Sequence, residues 1–161
     1  MASMEKPRGA GRKETVSLDA AAAHLLEECR MVLPGIQALF GFQLIAVFNE
    51  GFGEKLSHAN QLVHLVALVL TVLATVLVMT PAALQRHAEP REVSERFVWL
   101  ASNLLLAAMY PLSVAVALDV YVVAGIVTES DAVGAILAVV VFVIFLVFWT
   151  FVPRREKRKY G

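Results

Sequence analysis

Residues 62–84 read LVHLVALVLTVLATVLVMTPAAL, and this run decides the fold. It holds no Asp, Glu, Lys or Arg. A helix rises about 1.5 Å per residue and the hydrocarbon core of a bilayer is about 30 Å thick, so about 20 apolar residues cross it. Residues 132–152, AVGAILAVVVFVIFLVFWTFV, pass the same test. Working outward, 31–49 is just long enough and carries Gln37 and Gln43. The stretch 97–124 is overlong at about 42 Å and must tilt, kink or protrude; Pro111 near its middle is the place for a kink. The 31–49 stretch starts too far into the chain for a signal peptide and reads as a retained span.

Composition agrees. Of 161 residues, 58% are apolar and 17% charged, with a mean hydropathy of +0.69. An average soluble domain has about 45–50% apolar and about 25% charged residues. No segment between the spans is longer than 30 residues, too little for a separate soluble catalytic or nucleic-acid-binding domain. Cys29 is the only cysteine, so no intramolecular disulfide forms. No HExxH, CxxC, GxSxG, P-loop or GxGxxG motif occurs, and no two histidines suit a haem between facing spans. The expectation is a non-enzyme with no catalytic residue, metal site or cofactor.

Lysine and arginine orient the spans. Lys6, Arg8, Arg12, Lys13 and Arg30 precede the first span; Arg86, Arg91 and Arg96 lie in or beside the 85–96 loop; Arg154, Arg155, Lys157, Arg158 and Lys159 form the tail. The 50–61 loop has only Lys55 and the 125–131 loop has none. Four alternating spans gather thirteen of the fourteen basic residues on one side, whereas two or three would scatter them. That is the positive-inside pattern, with both termini cytoplasmic.

The flanks divide further. Residues 1–16 are basic, lack apolar periodicity and read as disordered. Ser17 suits a helix N-cap with Asp19 in the first turn, and residues 17–32 read as an amphipathic helix on or leading into the membrane. Pro34-Gly35 offers a bend or break after it, the alternative being one continuous helix. Residues 153–161 are a basic cytoplasmic tail whose ordinary role is topology.

Few polar groups enter the spans. Asp119 is the only formally charged one, about 33 Å along the third stretch and so towards the outer face. It either marks a solvated helix end or faces the bundle as an ion or proton site. A carboxyl withdrawn from water holds a proton more readily, which a proton-coupled site needs. Ala101, Ala108, Ala115 and Asp119 share one side of an ideal helix, and small residues admit a close neighbour. His64 lies at a similar depth, with Thr71 and Thr75 following on its side; depth permits a His64–Asp119 pair, although a lone histidine at a helix end is ordinarily interfacial. Gln37 and Asn103 both lie about 9 Å inside the cytoplasmic edge and suit hydrogen bonds between helices. Glu27, Glu28 and Arg30 lie just below them, within reach of a cluster with Arg86 or Arg96.

The run Leu25-Leu26-Glu27-Glu28-Cys29-Arg30-Met31-Val32-Leu33-Pro34-Gly35-Ile36-Gln37-Ala38-Leu39-Phe40 resembles the opening signature, E-x-R…P-G-x-Q-x-L-F, of an uncharacterised family of small four-span bacterial integral membrane proteins. Ala74-Thr75-Val76-Leu77-Val78-Met79-Thr80-Pro81-Ala82-Ala83 is similar to its second span, and Leu118-Asp119-Val120 to the end of its third. The resemblance covers roughly residues 25–152. It implies four spans in a bacterial inner membrane, no assigned activity, and Glu28, Arg30, Gln37 and Asp119 as positions of interest. Where the family often has Tyr-His before its loop arginine, this chain has Leu84-Gln85-Arg86, and no role carries over there.

The expected fold is all-α: a four-helix transmembrane bundle with an N-terminal amphipathic helix. Its partners are the lipid bilayer and a second copy or another membrane protein, not nucleic acid. Two functions fit: a non-enzymatic interaction or structural role, or a small oligomeric secondary transporter, such as a sodium/proton-type cation antiporter, using Asp119.

Overall fold

Ser17 opens the first helix as expected: its hydroxyl oxygen accepts the Ala20 amide N–H at 3.3 Å, satisfying a donor that every helix start leaves free. The computed structural model describes residues 17–87 and 93–151; the expected disordered start at 1–16 and basic tail at 153–161 lie outside the described residues. From Ser17 onward α1 (Leu18–Val47) is one helix that contains Pro34. Of the two expectations for 17–49, a bend or break at Pro34-Gly35 and one continuous helix, the second is the one found. Pro34 removes one intrahelical bond. A full break inside hydrocarbon leaves several backbone groups unpaired, each at several kcal/mol, so continuity is lower in free energy.

A short α2 (Gly51–Lys55) follows, then α3 (His58–His87), α4 (Glu95–Thr128) and α5 (Asp131–Leu146), which continues into a π-helical turn at Val147–Phe151. Four helices are long and apolar enough to cross a membrane: α1, α3, α4 and the stretch Asp131–Trp149. α4 likewise runs through Pro111, and the Ser113 hydroxyl donates to the Tyr110 carbonyl at 2.8 Å beside it.

The buried positions explain the packing. In α3 they fall at His64, Ala67, Thr71, Ala74, Val78 and Pro81, alternating steps of three and four. In α1 they are Ala22, Cys29, Ile36 and Gln43, seven apart throughout. In α4 the same interval links Ala101, Ala108, Ala115 and Val122. A period of 3.5 residues keeps one seam facing a partner along a left-handed crossing. Much of the seam is alanine, so the backbones approach closely. α1, α3 and α4 pack pairwise around it, with Cys29, Ile36, Val78 and Ala108 forming one buried apolar cluster and Ala22, Phe97 and Ala101 another.

α5 packs chiefly on α4 and buries only Gly134. The turn between them is set by Glu129 in the left-handed region, at φ 52°, and by the Thr128 hydroxyl donating to the Ala124 carbonyl at 2.7 Å. A Cβ on Gly134 would stand 2.7 Å from the Tyr121 carbonyl oxygen and 3.1 Å from the Gly125 nitrogen, both backbone atoms that cannot rotate away. A Cβ on Gly35 meets nothing within 4 Å. Gly134→Ala is thus expected to destabilise the detergent-solubilised protein by about 1–3 kcal/mol. Gly35→Ala should be neutral or stabilising by up to about 1 kcal/mol. Thermal unfolding followed by circular dichroism checks both.

Candidate functional site

The polar centre is assembled by three spanning helices. Gln43 occupies the last buried position of α1, His64 the first of α3, and Asp119 follows Ala115 by one turn on the buried face of α4. The Gln43 amide Nε2–H donates to Asp119 Oδ2 at 2.7 Å, a short bond of the kind made to an ionised or strongly polar acceptor. His64 Nε2 lies 3.0 Å from the Gln43 backbone oxygen, and its Nδ1 lies 3.4 Å from Asp119 Oδ1. Among the described residues this is the only ion-pair contact. Gln43 and His64 are 3% and 6% exposed, and the Asp119 side chain 18%.

The expectation that depth permits a His64–Asp119 pair is met in the geometry, and the solvated-end reading of Asp119 is corrected. Asp119 sits about 14 Å before the end of α4, and it faces the bundle. The reason is the alanine seam: once α4 continues through Pro111, the face of Ala101, Ala108 and Ala115 carries Asp119 inward with it. Thr71 and Thr75 do not join the centre. Their hydroxyls donate to the Ala67 and Thr71 carbonyls of their own helix, at 3.0 and 2.9 Å.

Other expected positions lie elsewhere. Gln37 and Asn103, read as interhelical hydrogen-bonding groups, are exposed on the outside of the bundle. Each sits one or two residues past a seam position, Ile36 and Ala101, which rotates it off the buried face. Glu28 and Arg30 are also exposed, with no ion pair to Arg86 or Arg96 among the described residues, and they stand about 20 Å from Gln43 along α1. The group that sequence reasoning passed over is Gln43. Its signal was available: it lies seven residues after Ile36 and fourteen after Cys29, both on the buried stripe.

The link between α1 and α3 closes one end of the centre. Asn49 Oδ1 accepts the Gly51 N–H at 3.1 Å and starts α2, which brings the Phe52 ring edge-on to His64 with centroids 5.4 Å apart. Leu56 is buried beside it, its carbonyl accepting the Gln61 amide at 3.1 Å. Between α1 and α4 remains a cavity of about 400 Å³ with apolar walls that include Leu39, Phe42, Phe52, Leu56, Val122 and Ile126. Gln43, His64 and Asp119 also line it, the latter two being its only titratable groups. Two buried oxygens there, Gln43 Oε1 and Asp119 Oδ1, have no hydrogen-bond partner.

The contacts dictate a proton count. The Gln43 backbone oxygen is an acceptor only, so His64 Nε2 carries a hydrogen. A neutral ring then has a bare Nδ1, which would set its lone pair against the Asp119 carboxylate. One further proton resolves the conflict, either on Nδ1 as an imidazolium–carboxylate pair or on Oδ1 as a carboxylic acid facing the imidazole. Both arrangements have zero net charge, as a site of low dielectric demands.

Residues 12–153 match a family described as a family of unknown function (DUF6328). No curated protein and no solved structure matches the chain.

The proton count is open to measurement. In ¹⁵N-histidine spectra of the bilayer-reconstituted protein, the neutral form of His64 should be the Nε2–H tautomer. An Nδ1–H tautomer contradicts the assignment.

Proposed function

The chain belongs to the DUF6328 family of unknown function, and we propose that within it this is a non-enzymatic multi-pass membrane protein built to exchange a proton for a monovalent cation at Asp119, His64 and Gln43. The observation carrying this reading is that His64 Nδ1 and Asp119 Oδ1 face each other while Nε2 is committed to a carbonyl, so the centre is neutral only with one added proton. Loss of that proton leaves a net negative charge in a mostly buried site. A cation must then replace it, and two buried oxygens without hydrogen-bond partners, Gln43 Oε1 and Asp119 Oδ1, support this reading.

The distribution of thirteen basic residues supports a bacterial cytoplasmic membrane protein with both termini inside, and the proton centre then lies in the outer half. Four spans are few to enclose a pathway, and α5 leaves many large apolar side chains exposed, burying only Gly134. The working unit in this reading is therefore two or more copies. A purely structural or interaction role, the other function the sequence allows, gives no reason for a buried acid–imidazole pair at the floor of a cavity.

Protein reconstituted in liposomes containing a pH dye tests the reading. Imposed sodium, potassium and ethylammonium gradients should drive proton movement with at least one of the three in wild type and with none in Asp119→Asn. Folded wild-type protein that moves no protons with any of them overturns exchange and leaves the interaction role, which pull-down from detergent-solubilised membranes then addresses.

A further inference from the structure

The cavity above the proton centre says what kind of cation belongs there. Its volume, about 400 Å³, falls within the range of pockets that hold small organic molecules and is far larger than a bare ion needs. Its walls are mostly leucine, phenylalanine, valine and isoleucine. Its polar side chains are Gln43, His64 and Asp119, which meet, and Asn49, whose Oδ1 already accepts the Gly51 N–H. Gln43 is 97% buried, and its Oε1 has no partner inside the protein. The amide cannot turn to satisfy that oxygen, because its Nε2 is held on Asp119 Oδ2 at 2.7 Å.

Removing the proton adds to this set. With His64 Nε2–H still on the Gln43 carbonyl, the deprotonated centre presents three unsatisfied acceptors: Asp119 Oδ1, His64 Nδ1 and Gln43 Oε1. A primary ammonium group has three N–H donors and one positive charge. It matches the three acceptors in number and the carboxylate in charge. An alkali ion would find at this centre two side-chain oxygens and an imidazole nitrogen, with mostly apolar walls where its remaining ligands should be, since Asn49 Oδ1 is already engaged by the Gly51 N–H. A quaternary ammonium has the charge but no donor, and would leave the buried acceptors unpaired.

We infer that the cavity binds a small primary ammonium ion with an apolar body, its head group replacing the proton shared by Asp119 and His64 while its body lies against Phe42, Phe52 and Val122. This rests on the proton-exchange reading and names its cation. The step balances without covalent chemistry: the ammonium ion enters with its three hydrogens, one proton leaves the Asp119–His64 pair for water, and the site is neutral before and after. Phe52 belongs to the link that closes one end of the centre, so the ligand's body and the lid over His64 are in contact.

Isothermal titration of the detergent-solubilised protein with 2-phenylethylammonium, in two buffers of different ionisation enthalpy, measures both binding and proton release. The expected result is saturable binding with release of up to one proton per protein. The uncharged 2-phenylethanol and the trimethylated ammonium analogue should each bind at least about tenfold more weakly, the factor set by losing charged hydrogen bonds. Sodium chloride should not compete beyond its effect on ionic strength. Gln43→Leu should weaken the amine by about ten- to a hundredfold, and Asp119→Asn should abolish proton release. Because the ligand series runs on wild-type protein, a variant that fails to fold does not blunt the test. Equal binding of amine, alcohol and quaternary analogue, or no binding of any, overturns the inference. If sodium or potassium nevertheless drives proton movement in liposomes, the exchange reading survives while the amine falls. If neither occurs, both fall.

Discussion

Hydrocarbon offers a polypeptide nothing to hydrogen-bond with, and most of this structure follows from that. Three long helices each contain a proline, and none is broken by it, since one missing bond is lower in free energy than an open stretch of backbone. Thr71, Thr75 and Thr80 return their hydroxyls to carbonyls one turn back. The side chains that cannot satisfy themselves within their own helix must find one another. Gln43, His64 and Asp119, from three different helices, do so at one depth.

The geometry of that meeting comes from packing and not from the polar groups. Seams of small residues, repeating at 3.5 positions, set the rotation of α1, α3 and α4 about their axes. Each polar group then sits near the same end of its seam, where it takes a position that an alanine or leucine would otherwise fill. Close contact below and an open cavity above give the centre two unlike sides: it is held rigidly by alanines on one side and faces a space with oily walls on the other. Low dielectric makes net charge expensive there.

The architecture was legible in the sequence because apolar length is a strong signal and the arginine and lysine count independently checks the number of spans. The pairing of Asp119 with His64 was half legible. Their similar depth and the alanine face of α4 both pointed to it, but whether that face survives Pro111 is decided by the continuity of the backbone, which local sequence does not fix. Gln43 was passed over for Gln37 because both are glutamines in one span and only the seam's interval separates them: Gln43 is seven residues beyond Ile36, Gln37 is one. Asn103 failed for the same reason relative to Ala101. At Pro34 the sequence leaves a break and a continuous helix both open, because proline's local effect and the solvent's demand for paired backbone groups oppose each other.

The arrangement of α5 bears on how the protein is made. Every group of the polar centre, and every wall of the cavity above it, belongs to residues at or before Ile126. The last spanning helix leans on α4 through a glycine and adds nothing to the chemistry. During synthesis the acid, the imidazole and the amide can therefore find one another before the final span has emerged from the ribosome. The costly burial of polar groups is then settled early, and the most apolar helix, which lipid alone can accommodate, arrives last.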